Sequence, residues 1–136
     1  MKEPRSEHLA KLVLRLSVGG LMLLHGIHKL THGVAGIERM LASRGLPELL
    51  AYGVYAGELI APLFILAGFK TRIAAAVFAF NMIVAVALAH ADDVLTLGKH
   101  GQWGIELQAL YLLGAIAVML LGAGRYSVSR GAGRWD

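Results

Sequence analysis

The chain of 136 residues contains no cysteine, which excludes a disulfide framework, a thiolate metal site and dithiol redox chemistry by this chain. Charged residues are also scarce, at 16% against about a quarter in soluble domains. No run of lysine and arginine is interleaved with aromatic residues, so the net charge of +4 does not indicate nucleic-acid binding. These shortages disfavour the soluble classes of protein.

The composition is typical of a membrane protein. Hydrophobic residues make up 57% of the chain, the mean hydropathy is +0.62, and there are 17 glycines. Glycine is common in transmembrane helices because it lets backbones approach closely. The basic start precedes an apolar run that is too long for a cleaved signal peptide and has no A-x-A-like site. We therefore expect a retained first helix.

Four apolar segments have the length of about 17 to 25 residues that a spanning helix needs. They cover about 9–30, 49–69, 72–91 and 105–124, and the residues between the first two read as a polar connection. None has the alternation of a barrel strand, and only helices or closed barrels satisfy the backbone in lipid. The sequence predicts an all-α fold, a four-helix transmembrane bundle in which residues 1–136 form one domain.

Basic residues predict the orientation, because cytoplasmic loops carry more lysine and arginine. The termini and the turn between the second and third segments hold nine of them: Lys2, Arg5, Lys11, Arg15, Lys70, Arg72, Arg125, Arg130 and Arg134. The opposite side holds four: Lys29, Arg39, Arg44 and Lys99. Both termini are therefore predicted to be cytoplasmic.

Ionisable and polar side chains interrupt the apolar segments in the half of the membrane away from the termini. Glu58 lies nine residues after Leu49, or ~13 Å along a helix. A carboxylate at such a depth is costly, and an intramembrane ionisable group is a functional candidate by default. The other groups expected in this outer half are His25, Lys29, His90, Glu106 and Gln108. Since each segment contributes, a shared polar pocket is expected.

Lys29 is the simplest partner for Glu58, because opposite charges in lipid pair with one another. Pro62 follows four residues after Glu58, so its ring should disturb the helix at that carbonyl. Arg15 lies toward the cytoplasmic side and is expected to extend its charge to that interface. Asn81, in the middle of the third segment, is expected to form an interhelical hydrogen bond.

Other interpretations of these residues stay open. His25 can be a hydrogen-bonded packing residue, His90 an interfacial group facing water, and Glu106 a group stabilised by a helix dipole. Tyr55 and Tyr111 either belong to interfacial belts or line a cavity for a flat ring. His25, His90, Glu58 and Glu106 resemble a metal ligand set, but the adjacent Lys29 would repel a cation, so no metal is predicted.

Several short motifs occur in a characteristic order. They are Arg15-Leu16, His25-Gly26-Ile27-His28-Lys29-Leu30, Gly57-Glu58, Gly68-Phe69-Lys70-Thr71-Arg72, Asn81-Met82, His90, Gly104-Ile105-Glu106 and Gly122-Ala123-Gly124-Arg125-Tyr126-Ser127. Together they make the chain, over about residues 10 to 130, resemble the DoxX family of small four-helix bacterial membrane proteins. The resemblance implies an inner-membrane, multi-pass protein linked to quinone oxidoreduction.

Three functions are compatible with these observations. In the first, the chain binds a quinone or similar apolar ring, with Glu58, His25 and Lys29 handling protons. His90, Glu106, Gln108, Asn81, Tyr55 and Tyr111 would then line the ligand site. Because no haem, flavin or nicotinamide motif is present, a bound quinone or a partner protein would supply any redox chemistry.

In the second, the chain is a non-catalytic subunit or chaperone-like partner of another membrane or redox protein, or it assembles with further copies of itself. The third function, a path for a small solute or protons, is disfavoured because no inverted repeat or cytoplasmic relay is evident.

Overall fold

The computed structural model describes residues 4–136, and its regular structure is helical, as the sequence predicts. Five α-helices follow one another along the chain: α1 Arg5–His32, α2 Ala35–Ser43, α3 Ala61–Ala67, α4 Thr71–Ala89 and α5 Glu106–Leu121. Short 3-10 helices cover Glu48–Gly53 and Ala91–Asp93, and a π-helical turn covers Ala56–Ile60. Within residues 4–136 the structure contains no β-strand, and Leu97 and Trp103 form an isolated bridge.

Three helical stretches are long and apolar enough to cross a membrane, by length and composition: Arg5–His32, Glu48–Ala67 and Thr71–Ala89. The apolar helix α5 is shorter, with 16 residues. The four stretches correspond to the four predicted segments, with boundaries that differ by at most four residues, the largest difference being at the start of α1.

Helix α2 is absent from the sequence-based prediction, which treated the residues between the first two segments as a polar connection. Its apolar side chains follow a helical spacing, since Val34, Ile37 and Leu41 are three and four residues apart. They pack against Ala51 and Tyr55 of the following stretch. The spacing was therefore a usable signal, but nine residues are too few to stand out in a search for membrane spans.

The core lies where α1, α3, α4 and α5 meet. Small and large apolar side chains interlock there, including Met22, Ile65, Ala75, Phe78, Ala115 and Val118. The same helices also carry exposed leucine, isoleucine and phenylalanine on their outer faces, such as Leu24, Phe80 and Leu113. Helices that are apolar all round are typical of proteins surrounded by lipid.

The prediction that Arg15 extends to an interface is wrong, because its side chain is 2% exposed. Its guanidinium donates hydrogen bonds to the carbonyl oxygens of Ile65 (2.9 Å), Leu66 (3.1 Å), Ala123 and Tyr126 (3.0 Å). These carbonyls lie near the end of α3 and in the segment after α5. Arg15 thus joins three parts of the chain by satisfying carbonyls that helices leave unpaired at their ends.

The disturbance expected at Glu58 takes the form of the π-helical turn. The Ala61 N–H bonds to the carbonyl of Ala56, five residues earlier. Pro62 has no N–H, and its ring would crowd the carbonyl of Glu58, so an α-helical register cannot run undisturbed through this turn. Single π-helical turns inside helices frequently mark functional sites.

Candidate functional site

Lys29 and Glu58 form an ion pair between α1 and the π-helical turn. The Lys29 ammonium donates a hydrogen bond to Glu58 Oε2. The Glu58 side chain is 7% exposed and that of Lys29 is 26% exposed. A buried carboxylate is costly unless a partner compensates its charge, and the Lys29 ammonium is that partner. The pairing predicted from the sequence is therefore formed.

Gly26 allows α1 to approach Glu58. A Cβ atom at Gly26 would lie 2.1 Å from the Glu58 carbonyl oxygen and 2.6 Å from its carbonyl carbon. Backbone atoms cannot move aside as a flexible side chain would, so only glycine fits. Gly26 precedes Lys29 by three residues and shares its face of the helix, which brings the ammonium to the carboxylate.

Tyr55 ties the end of α1 to the stretch that carries Glu58. Its hydroxyl donates a hydrogen bond of 3.0 Å to the carbonyl oxygen of Lys29. The same carbonyl accepts the N–H of Gly33, at 2.8 Å, where α1 ends. The carbonyl oxygen of Lys29 thus accepts two hydrogen bonds, which fix the backbone from which its side chain extends.

His25 and Tyr111 adjoin the ion pair. Their rings meet edge to face, with centroids 5.8 Å apart and planes at 83°. His25 Nδ1 lies 3.1 Å from the carbonyl oxygen of Leu21, which can only accept, so Nε2 is the nitrogen left to exchange a proton. The Tyr111 hydroxyl lies within electrostatic range of the Glu58 carboxylate.

Asn81 packs against Gly57, the residue before Glu58, and has an unpaired donor. A Cβ atom at Gly57 would lie 2.3 Å from Asn81 Cβ, so the amide lies directly over this glycine. Asn81 Nδ2 is buried and has no hydrogen-bond partner within residues 4–136, so it does not form the expected interhelical bond. Unsatisfied buried donors are rare, and one beside a buried ion pair indicates a position for an acceptor.

Six of the nine predicted site residues lie at or next to this ion pair, Asn81 through Gly57, and we call them the Glu58 cluster: Glu58, Lys29, His25, Tyr55, Tyr111 and Asn81. His90, Glu106 and Gln108 make other contacts. His90 Nδ1 lies 3.1 Å from Asp93 Oδ2, and Glu106 Oε2 accepts the backbone N–H of Trp103 at 3.1 Å. Glu106 and Gln108 line a cavity of about 350 Å³ with Trp103 and Leu110.

No hydrogen bond or ion pair within the described chain links His90, Glu106 or Gln108 to the cluster. Nor do residues 4–136 contain a group of three or more His, Cys, Asp or Glu side chains placed to hold a metal ion. His25, His90, Glu58 and Glu106 therefore do not form the ligand set considered from the sequence.

The close approach at Gly26 was not predicted from the sequence. Gly19 precedes it by seven residues, and a Cβ atom there would lie 3.2 Å from the carbonyl oxygen of Pro62. Small residues spaced by seven mark one face of a helix that packs closely on another. This spacing could have identified the face of α1 that meets the π-helical turn and α3.

Substitution of Gly26 by alanine should disrupt this close approach. We expect Gly26→Ala to lower the free energy of unfolding by about 3 kcal/mol, the upper end for overpacking, since the new methyl group meets backbone atoms. Gly20→Ala in the same helix is the control, because its Cβ would have no neighbour closer than 4.0 Å. Thermal unfolding followed by circular dichroism compares the two, and equal stabilities would contradict the packing described.

Comparison with known proteins agrees with the resemblance seen in the sequence. The sequence model of the DoxX family matches residues 10–91, which hold most of α1, all of α2 to α4, and all of the Glu58 cluster except Tyr111. A protein of Bacillus subtilis (strain 168) named "Putative oxidoreductase CatD" is 34% identical over 82 residues, which are 60% of this chain and 60% of that protein. No solved structure matches. Because the family match covers more than half of its residues, the chain belongs to the DoxX family.

Proposed function

We propose that this membrane protein is the quinone-binding component of an oxidoreductase, with its ligand site at the Glu58 cluster. The observation that carries the proposal is the buried Lys29–Glu58 ion pair, set between apolar helices beside an unpaired amide donor. Ionisable groups in such surroundings are costly, and they persist where they bind ligands or move protons. The Bacillus relative is named a "Putative oxidoreductase", and this name favours a redox function over a purely structural role.

The proposal includes a topology. Residues 1–136 would form one domain of four spanning helices in the bacterial inner membrane, with the helix α5 as the fourth span and both termini in the cytoplasm. The supporting charge distribution is the excess of basic residues at the termini and the α3–α4 turn. Of the nine basic residues counted on this side from the sequence, Lys2 lies outside the part of the chain that the structure describes.

The residues of the cluster fit the polar groups of a quinone. A quinone carries two carbonyl oxygens on a flat ring, and it takes up two protons with two electrons when it is reduced. Carbonyl oxygens need donors, and Asn81 Nδ2 is a buried donor with no partner within residues 4–136. The Lys29 ammonium is a further donor at Glu58, and the Tyr111 hydroxyl lies within electrostatic range of that carboxylate. The Tyr111 and Phe78 rings, with centroids 6.0 Å apart, form the adjoining aromatic part of the core.

Protons would pass through the charged residues of the cluster. Glu58 accepts or releases a proton at its carboxylate, and Lys29 stabilises the ionised form of that carboxylate. His25 is exposed at the edge of the cluster and has Nε2 free, so it suits exchange with the outside of the bundle. Since the sequence carries no haem, flavin or nicotinamide motif and no cysteine, a partner protein would supply the electrons.

Quinone binding by the purified protein in lipid nanodiscs tests the proposal. We expect Glu58→Gln to weaken binding of a radiolabelled short-chain ubiquinone by about tenfold or more, the loss typical of a hydrogen bond to a charged group. Glu48→Gln, at an exposed carboxylate outside the cluster, is the matched control. Equilibrium dialysis against empty nanodiscs measures both dissociation constants, and unchanged binding by a folded Glu58→Gln protein would refute the site.

A second function, a non-catalytic subunit or chaperone-like partner, is favoured by a different observation. Lys29 bonds to Glu58 through its ammonium and to Tyr55 through its backbone carbonyl, so these residues can lock α1 to the following stretch without any ligand. Gentle extraction that recovers a stoichiometric partner protein and no quinone would make this second function the better account.

A further inference from the structure

A basic cavity lies at the other end of the bundle from the Glu58 cluster. Lys11 lines it and precedes Lys29 on α1 by 18 residues, which separates the two sites by about 27 Å along the helix. The cavity encloses about 260 Å³. Its charged walls come from three parts of the chain: the start of α1, the start of α4 and the segment after α5.

Cations outnumber carboxylates in this cavity. Among residues 4–136, the cations Lys11, Arg72, Arg125 and Arg130 line it together with the acidic residue Asp136. His8 also lines it, with a ring edge to face on Tyr126. Asp136 and Glu7, which pairs with Lys11 at 3.4 Å, offset part of this charge, and the cations of residues 4–136 remain in excess. Such a concentration of one sign in a concave site attracts an anion.

Two of these cations have side chains without a hydrogen-bond or ion-pair partner within residues 4–136. Lys11 pairs with Glu7 at 3.4 Å, and Arg72 donates to the carbonyl oxygens of Asp136 (2.9 Å) and Met119 (2.8 Å). The side chains of Arg125 and Arg130, in contrast, form no hydrogen bond or ion pair within residues 4–136. Their guanidinium groups present fork-shaped donors that match phosphate oxygens.

The segment that carries both arginines is fixed to the helices. Arg15 binds the carbonyl oxygens of Ala123 and Tyr126, and the backbone N–H of Arg72 donates to the carbonyl oxygen of Trp135 at 2.9 Å. Gly124, with φ of 72°, brings the segment against the Lys11 side chain, where a Cβ atom would lie 3.0 Å from Lys11 Cδ. The arginines thus belong to a held wall of the cavity.

The surroundings of the cavity place an anion beside apolar surface. Leu121, at the end of the apolar helix α5, lines the cavity, and Leu120 beside it is exposed. Tyr126 and Trp135 are exposed nearby, and such rings are enriched at the level of lipid headgroups. A phosphate held by the arginines would therefore have room for attached acyl chains along α5.

We propose that this cavity binds the phosphate group of an anionic membrane phospholipid, with Arg125 and Arg130 as its main ligands. Basic pockets at the ends of transmembrane helices are suited to such headgroups. The inference depends on the membrane environment of the bundle and is independent of quinone binding at Glu58.

Native mass spectrometry of the whole protein with added lipid tests the proposal. We expect dioleoylphosphatidylglycerol to bind in preference to dioleoylphosphatidylcholine. The double variant Arg125→Gln/Arg130→Gln should lose about twenty-five-fold in affinity, or roughly a factor of five for each basic residue. The matched control Arg39→Gln/Lys99→Gln removes two exposed charges from the opposite side and should bind as the wild type does. Circular dichroism checks that both variants are folded.

Three results would overturn the proposal. Equal losses in the two double variants would mean that net charge, and not the cavity, attracts the lipid. Equal binding of the two lipids by the wild type would exclude recognition of the anion. Complete displacement of the lipid by an excess of inorganic phosphate would assign the cavity to a free anion. If the arginine variant does not fold, loss of wild-type preference at high salt supports the proposal, and a salt-independent preference refutes it.

Discussion

Replacement of Lys29 by methionine is expected to lower the free energy of unfolding by about 3 to 5 kcal/mol, because it leaves the Glu58 carboxylate buried without its partner. Glu58→Gln should cost less, about 1 to 2 kcal/mol, since the Lys29 side chain is 26% exposed and can extend its charge toward the surface. The double variant Lys29→Met/Glu58→Gln has no buried charge, so we expect it to be more stable than Lys29→Met alone.

Reversible unfolding in mixed detergent micelles, followed by circular dichroism, compares these variants. Lys99→Met is the control, because Lys99 is exposed and forms no ion pair within the described residues. Additive losses in the double variant would show that the two side chains do not interact in the membrane protein. Because Glu58→Gln is expected to lose little free energy of unfolding, its ligand binding can be measured on a folded protein.

Substitution of Arg15 by methionine should be at least as damaging, with a loss of about 4 kcal/mol or more. Four carbonyl oxygens accept hydrogen bonds from this guanidinium, and each buried acceptor left without a donor costs about 1 to 3 kcal/mol. We further expect the backbone amides of residues 122–136 to exchange faster with deuterium, because Arg15 holds that segment against the helices.

Hydrogen exchange read by mass spectrometry measures the second effect, and Arg39→Met is the control at an exposed position. Unchanged protection of the segment in Arg15→Met would contradict the part assigned to this arginine. The experiment also bears on the basic cavity, since a released segment would remove Arg125 and Arg130 from its wall.

The contrast between Lys29 and Arg15 shows what the sequence can predict. Lys29 and Glu58 fall at similar depths in neighbouring apolar segments, and opposite charges in lipid have few other partners. Arg15 has partners that no local pattern reveals, because two of its acceptors lie 108 and 111 residues further along the chain. The sequence alone therefore favours an interfacial position for such a residue. Its buried position becomes evident only when the structure shows where residues 123–126 lie.

The apolar segments themselves were predictable because hydrophobicity and length decide them. The irregular turn within the second segment was only partly predictable. Pro62 indicated a disturbance at Glu58, but not that it would take the form of a π-helical turn. The sequence predicted which polar side chains belong to the site. The structure adds the close contacts that glycine allows: Gly26 packs against the backbone of Glu58, and Gly57 packs against Asn81.

Native mass spectrometry of the protein gently extracted from its membrane, wild type beside Glu58→Gln, tests whether the Glu58 cluster binds a quinone. We expect a retained adduct with the mass of a quinone on the wild type and its loss from the variant, with both proteins folded. A wild-type protein that carries no such adduct, or a quinone that is kept equally by Glu58→Gln, would contradict a ligand site at the Glu58 cluster.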